Sequence, residues 1–398
     1  MSKTSPLKLA APLALAIAPF AAGFAPAANA AFDLTGIDYV QYGDAQSYSL
    51  PIACMQVGQA YNKCDYNVDS TAGAIKDLVV IYTGSSGVGV TTNFTGMDDA
   101  YHTPSGSTDN YFQTGGLDFP AGGSVEYGTS DPNGAGEFTG DKANTWDTTL
   151  SALNTFLAGG APVFFFNNNQ VKNLGTAGET LAAWMQVSVE WVDPKTGATE
   201  IRYFDLTNDG GKYALVSEGG GGKVNGTEAY SSDGSGPTGG TNAATDYVVS
   251  GGALCVIGTP PLPVPCSTPG STGPINHNLG ADHAAYAILF PELNLLLADL
   301  LADGIDGVMH VDLRLGCDPT LFGPNGTKKE PNVLCTGEDI GWGKNLNNGY
   351  EQLFLTSTLN VPPPPPPPVP VPGSLGLLAG GLLGLGALLR RGVGNANA

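Results

Sequence analysis

Met185-Gln-Val-Ser-Val-Glu-Trp-Val192 and Thr199-Glu-Ile-Arg-Tyr-Phe-Asp-Leu206 flank the tract Asp193-Pro-Lys-Thr-Gly197, and this stretch decides the fold class. In the first arm Met185, Val187, Val189 and Trp191 alternate with Gln186, Ser188 and Glu190, which is the period of two of a half-buried strand. Gly197 supplies the positive φ that a tight return needs, so the segment reads as a β-hairpin. Similar patterns predict strands from Ile75 to Tyr82, Val308 to Leu315 and Leu353 to Leu359, and Pro162 to Phe166 reads as a buried strand.

Two helices are expected among these strands. Leu150 to Leu157 is short and closes at Gly159. Asp282 to Asp303 is the second helical region, with Pro291 at a restart, Gly304 as terminator, and Leu293, Leu296, Leu297, Leu300 and Leu301 on one packing stripe. The predicted fold is mainly β: an antiparallel β-sandwich with one or two short helices, local disulfides and Gly-rich loops. It occupies residues 31–360. Within it, residues 218–241 are rich in Gly, Ser, Thr and Asn and read as a flexible loop or linker.

Composition narrows the function. Of 398 residues only 13% are charged, with 16 Lys and Arg against 36 Asp and Glu, giving a net charge of -20. Phosphate binding needs clustered cations, so a nucleic-acid role is disfavoured. The hydrophobic fraction of 42% is enough for a true core and argues against wholesale disorder.

Both ends read as addresses. Residues 1–30 carry Lys3 and Lys8, an apolar stretch from Leu9 to about Phe24, and small residues Ala28 and Ala30 before Ala31. That is the layout of a signal peptide cut before Ala31, with a permanent membrane helix as the alternative. A Pro-rich stalk follows the body at 361–372, including the unbroken run Pro362 to Pro368; in polyproline II form it extends about 3.1 Å per residue. Residues 373–398 form the C-terminal anchor. From Ser374 to Leu389 no residue is charged, and Arg390 and Arg391 follow. Sixteen such residues make a helix of roughly 24 Å, a marginal span for a hydrocarbon slab of about 30 Å. The arginine pair marks the cytoplasmic side.

The order Pro370-Val371-Pro372, glycine-leucine helix, then Arg390-Arg391 resembles the PEP-CTERM sorting signal of Gram-negative bacteria, the substrate of exosortase. The resemblance covers about residues 369–391; Val371 stands where the family usually has Glu, and the chain beyond the arginines is longer than usual. It implies a single hydrophobic C-terminal helix that anchors the chain transiently in the inner membrane. It also implies cleavage near Pro370 to Pro372 and a body at the cell surface or among exopolysaccharide. A plain membrane anchor is the alternative. Lys3, Lys8, Arg390 and Arg391 lie in the two ends and no acidic residue does, so removing the ends takes the body from -20 to -24.

The six cysteines fall into sequential pairs, Cys54 with Cys64, Cys255 with Cys266, and Cys317 with Cys335. No Cys-x-x-Cys occurs, so zinc and thioredoxin-like chemistry have little support. In an exported chain an even set reads as disulfides; fifteen pairings exist in principle, and sequential pairing is expected because each closes a turn-rich loop.

Motifs for chemistry are incomplete. Gly84-Ser-Ser-Gly-Val-Gly89-Val90-Thr91 has P-loop glycine spacing, but Val90 stands where the lysine is needed. No Gly-x-Ser-x-Gly elbow exists; Ser86 lacks the final glycine. Of His102, His277, His283 and His310, the pair His277 and His283 with Asp282 is conceivable as a metal or acid–base group, although their spacing is wrong for one helix face and Asp282 suits an N-cap. No cofactor is required. Calcium is the ion the sequence favours over that group, through Asp131, Asn133 and Glu137 or Asp205, Asn208 and Asp209, hard oxygen donors in glycine-rich turns that do not match an EF-hand. Trp146, Trp184, Trp191, Trp342 and the run Phe164 to Gln170 offer aromatics beside amides for a saccharide, but such residues are mostly core in a sandwich. Asn93, Asn225 and Asn325 match the Asn-x-Thr acceptor pattern, which is frequent by chance.

The expectation is a non-enzymatic, exported protein of the cell surface or biofilm matrix, structural or adhesive. Its partners would be signal peptidase, an exosortase-like processing enzyme, matrix exopolysaccharide, and the membrane until cleavage. A saccharide- or calcium-binding module and an extracellular hydrolase are the alternatives.

Overall fold

The computed structural model describes residues 32–76, 78–84, 95–103, 112–114, 145–169, 183–206, 223–224, 227–228, 254–266, 268–315 and 351–358. In chain order β1 (Val40–Tyr42) and β2 (Ala45–Ser49) lead into α1 (Leu50–Gln56) and α2 (Ala72–Ile75). Next come β3 (Val79–Thr83), β4 (Tyr101–His102), β5 (Phe112–Gln113), β6 (Trp146–Thr149) and α3 (Leu150–Leu157). β7 (Ala161–Asn167), β8 (Ala183–Val192) and β9 (Thr199–Leu206) precede the short β10 (Lys223–Val224) and β11 (Thr227–Glu228). β12 (Leu254–Ile257), β13 (Leu262–Pro265), β14 (Ala284–Leu289), α4 (Pro291–Ala302), β15 (Gly307–Leu315) and β16 (Leu353–Thr358) complete the order.

Two main sheets result, and the chain is mainly β and mainly antiparallel. The larger runs β11-β10-β1-β2-β14-β7-β16-β3-β4, with only β3 and β4 parallel. The smaller runs β5-β15-β8-β9, with β6 also on β15, and β12 and β13 form a separate hairpin. Both main sheets take strands from either side of residues 218–241, and β10 and β11, inside that stretch, extend the larger sheet beyond β1.

Alternation along β7 explains the layering. Phe164 and Phe166 enter one apolar cluster together with Met185, Val187, Met309 and Val311 of the smaller sheet. Phe165 points the other way, into a second cluster with Ile75, Leu50 and Phe354, and stacks on Phe354 at 5.5 Å. The larger sheet is therefore buried on both faces, one against the smaller sheet and one beneath α1, α2 and the N-terminal segment. Leu150, Leu153 and Leu157 of α3 and Leu293, Leu297 and Leu300 of α4 join the first cluster.

The hairpin of β8 and β9 forms in the expected register, Met185 opposite Leu206 through Val192 opposite Thr199, with Gly197 at φ 70°. Leu150–Leu157 is helical, and Thr149 accepts from Ala152 N as its N-cap. Its last turn closes through Ala158 at φ 50° as well as Gly159 at φ 85°. Three expectations are corrected. Residues 284–289 are not helical: Ala284–Leu289 is a strand paired with both β2 and β7, and the helix starts only at Pro291. An alanine-rich run buried on both faces has no alternation to mark it, so periodicity misreads it. The strand expected from Ile75 begins at Val79, because Ala72–Ile75 is a helical turn. Finally, four α-helices are present among the described residues, including the unanticipated α1.

Candidate functional site

α1 begins where β2 ends, and Ser49 is the junction. Its hydroxyl accepts from Ile52 N at 3.2 Å, the bond of an N-cap, and Pro51 sits in the first turn where a missing N–H costs nothing. The same Oγ lies 2.7 Å from His277 Nε2, and both residues are buried. His277 arrives from the loop before β14, and its ring stacks on Tyr286 at 4.7 Å and 12°. With the imidazole proton on Nδ1, Nε2 accepts from the serine hydroxyl, the contact through which a base activates a nucleophile. Ser49 and Tyr286 line a cleft with Asp38, Tyr39, Ser47 and Leu254 that has room for about one water molecule.

A second buried polar group crosses the smaller sheet. His310 Nδ1 is 2.7 Å from Asp147 Oδ1, and the two are 4% and 0% exposed. Asp98 runs alongside: its N–H donates to Asp147 O at 2.8 Å and its Oδ2 accepts from Asp147 N at 2.8 Å. Trp146 Nε1 donates to Asp98 O. His310 Nε2 is buried without a hydrogen-bond partner among the described residues. In register, His310 lies opposite Asp147 on β6 and Ser188 on β8.

A third group closes the end of the larger sheet. Glu351 is buried, and desolvation pushes its carboxyl up to about 8, against hydrogen bonds from its own and the Asn169 backbone N–H. Burial and the nearby Glu351 raise Tyr82 well above its ordinary value. Neighbouring Asn167 accepts from Gln352 N and donates to Ser70 Oγ at 3.2 Å.

The sequence-predicted sites fare differently. Cys54–Cys64 and Cys255–Cys266 are disulfides spanning 10 and 11 residues; Cys317 and Cys335 lie outside the described residues. Asp205 is on β9, where its carboxylate accepts from Gln186 Nε2 at 2.8 Å, and burial with Asp44 nearby raises its pKa. Asp131, Asn133, Glu137, Asn208 and Asp209 lie outside the described residues, as do Pro370, Val371, Pro372, Arg390 and Arg391. Among the described residues no three His, Cys, Asp or Glu side chains cluster to hold a metal.

His277 and His283 are not brought together as one site: His277 pairs with Ser49, while His283 is bridged to Asp69, with Nδ1 3.3 Å from Oδ1 but not aligned for a hydrogen bond. Asp282 caps no helix, since β14 follows it. Trp146 is core, 0% exposed. The sequence reading missed Ser49, whose signal was a serine ahead of Leu-Pro and an apolar run, and it missed Asp147 and Glu351, which carry none.

The body is thus a two-sheet β protein clamped by local disulfides, with buried histidine pairs at separate places. The chain belongs to the family described as Domain of unknown function (DUF8239), which matches residues 31–314. No curated protein matches the chain, and no solved structure does. The family span begins at Ala31 and stops before β16, a strand held between β7 and β3.

Proposed function

We propose that this is an exported, non-enzymatic protein of the cell surface or extracellular matrix, a sandwich-type body delivered by a signal peptide and a PEP-CTERM-like tail. The observation that carries the reading is the order of the tail: Pro370-Val371-Pro372, an uncharged glycine-leucine helix, then Arg390-Arg391. Two findings support it. The family span starts at Ala31, the residue after the expected cleavage point, and the two disulfides suit an oxidising compartment. Intact-mass spectrometry of the protein from its native host tests it. The expected species lacks residues 1–30 and everything beyond the Pro370 to Pro372 region; a mass retaining both ends, with cysteines reduced, overturns it.

One observation favours the hydrolase alternative, the 2.7 Å contact of His277 with Ser49, a residue that lines a small cleft. In that reading Ser49 Oγ attacks an ester carbonyl while His277 Nε2 takes its proton and returns it to the leaving alcohol. A fluorophosphonate probe separates the two readings. Labelling at Ser49 that disappears in His277→Gln supports the enzyme; no labelling leaves the pair as a helix cap and its buried partner.

A further inference from the structure

We propose that the open edge of β9 is an interface through which two copies of this chain pair. β9 ends the path of its sheet. Thr199 to Tyr203 are exposed on both faces of the ribbon, Ile201 at 36% and Tyr203 at 53%, with Val192 beside them at 55%. The phase of the ladder says which backbone groups are free. Asp193 N donates to Ala198 O at 2.8 Å, so in this antiparallel pair Glu200 and Arg202 turn their peptide groups to β8, while Thr199, Ile201 and Tyr203 turn theirs to the open side. Asp205, in the same phase, bears this out: its N–H donates to Asp44 Oδ2 and its C=O accepts from Asp44 N, each at 2.9 Å. Asp44 closes the edge there and leaves 199–203 open.

Natural sheets commonly block such an edge with charge. Here the charges match. Glu200 and Arg202 flank Ile201 with opposite signs, so an antiparallel pair about a two-fold axis at Ile201 sets Glu200 against Arg202 of the second copy, twice. Ile201 meets its own counterpart, Thr199 meets Tyr203, and about six backbone hydrogen bonds form. The neighbouring registers that keep the same phase, centred on residue 200 or 202, set Glu200 against Glu200 or Arg202 against Arg202. Charge therefore selects one register. The occupant is a second copy because the strand complements itself.

Sedimentation and light scattering of the full chain test this. The expected result is a dimer at micromolar concentration. Ile201→Pro removes an N–H that the monomer does not use, and gives a monomer with unchanged circular dichroism. Arg202→Glu weakens the dimer roughly tenfold or more, because both charge pairs become repulsive, and the double swap Glu200→Arg with Arg202→Glu restores it. A monomeric parent protein, or an association that survives Ile201→Pro, overturns the proposal.

Discussion

His310 of β15 and Asp147 of β6 stand directly opposite each other across the smaller sheet, Nδ1 to Oδ1 at 2.7 Å, on the face turned away from the shared core. Met309 and Val311, on either side of His310, point into that core. Both partners are almost wholly buried, so the contact is shielded from solvent. His310→Ala is expected to cost about 3 kcal/mol in urea unfolding, because it removes a 2.7 Å polar contact of a buried side chain and leaves a cavity. Replacing both residues by apolar ones of similar volume should cost much less than the sum of the single changes. Equal, additive losses would show that the pair is not coupled.

Glu351 gives the chain a pH dependence of known sign. Its folded-state pKa is raised to about 8 by burial, against an ordinary value of 4.5. The folded state therefore holds a proton that the unfolded state has already lost between about pH 4.5 and 8, and stability falls as pH rises through that window. Glu351→Gln should flatten this slope, and its melting temperature should fall less than the parent's between pH 5 and pH 8, by a few degrees. Parallel curves for the two proteins would count against the assignment.

The two described disulfides close loops of 10 and 11 residues. Loops of this length stabilise by about 3 kcal/mol each at most. Cys255→Ser with Cys266→Ser should lower the urea midpoint without abolishing the cooperative transition, since both apolar clusters remain. Complete unfolding of that variant at 25 °C would mean that the clamp does more than restrain its loop.

Gly307 opens β15 opposite Trp191, and a Cβ there would collide with the carbonyl oxygen of Glu190. Gly307→Ala is expected to destabilise by about 1–3 kcal/mol by overpacking, whereas Gly304→Asn, at φ 68° with open space around it, should cost less because asparagine tolerates the left-handed region. Thermal unfolding of the two variants side by side checks the order.

Local pattern carried much of the fold. The hairpin around Gly197 and the helix Leu150–Leu157 were legible because each combines one period with one terminator. β14 was not, since Ala284–Leu289 is buried on both faces and reads as a helix when its neighbours β2 and β7 are unknown. The polar groups were harder still. Ser49 and His277 are 228 residues apart, and Asp147 and His310 are 163 apart, so no spacing rule joins them. Glu351 looks like any surface acid until the sheet closes over it.

β16 is a late piece set in the middle. It fits between β7 and β3, yet it is the last strand described. A polypeptide that emerges amino end first cannot shut its main wall until that final ribbon has been made. Until then β7 and β3 face a vacant slot, and the keystone of the wall is the piece that arrives last.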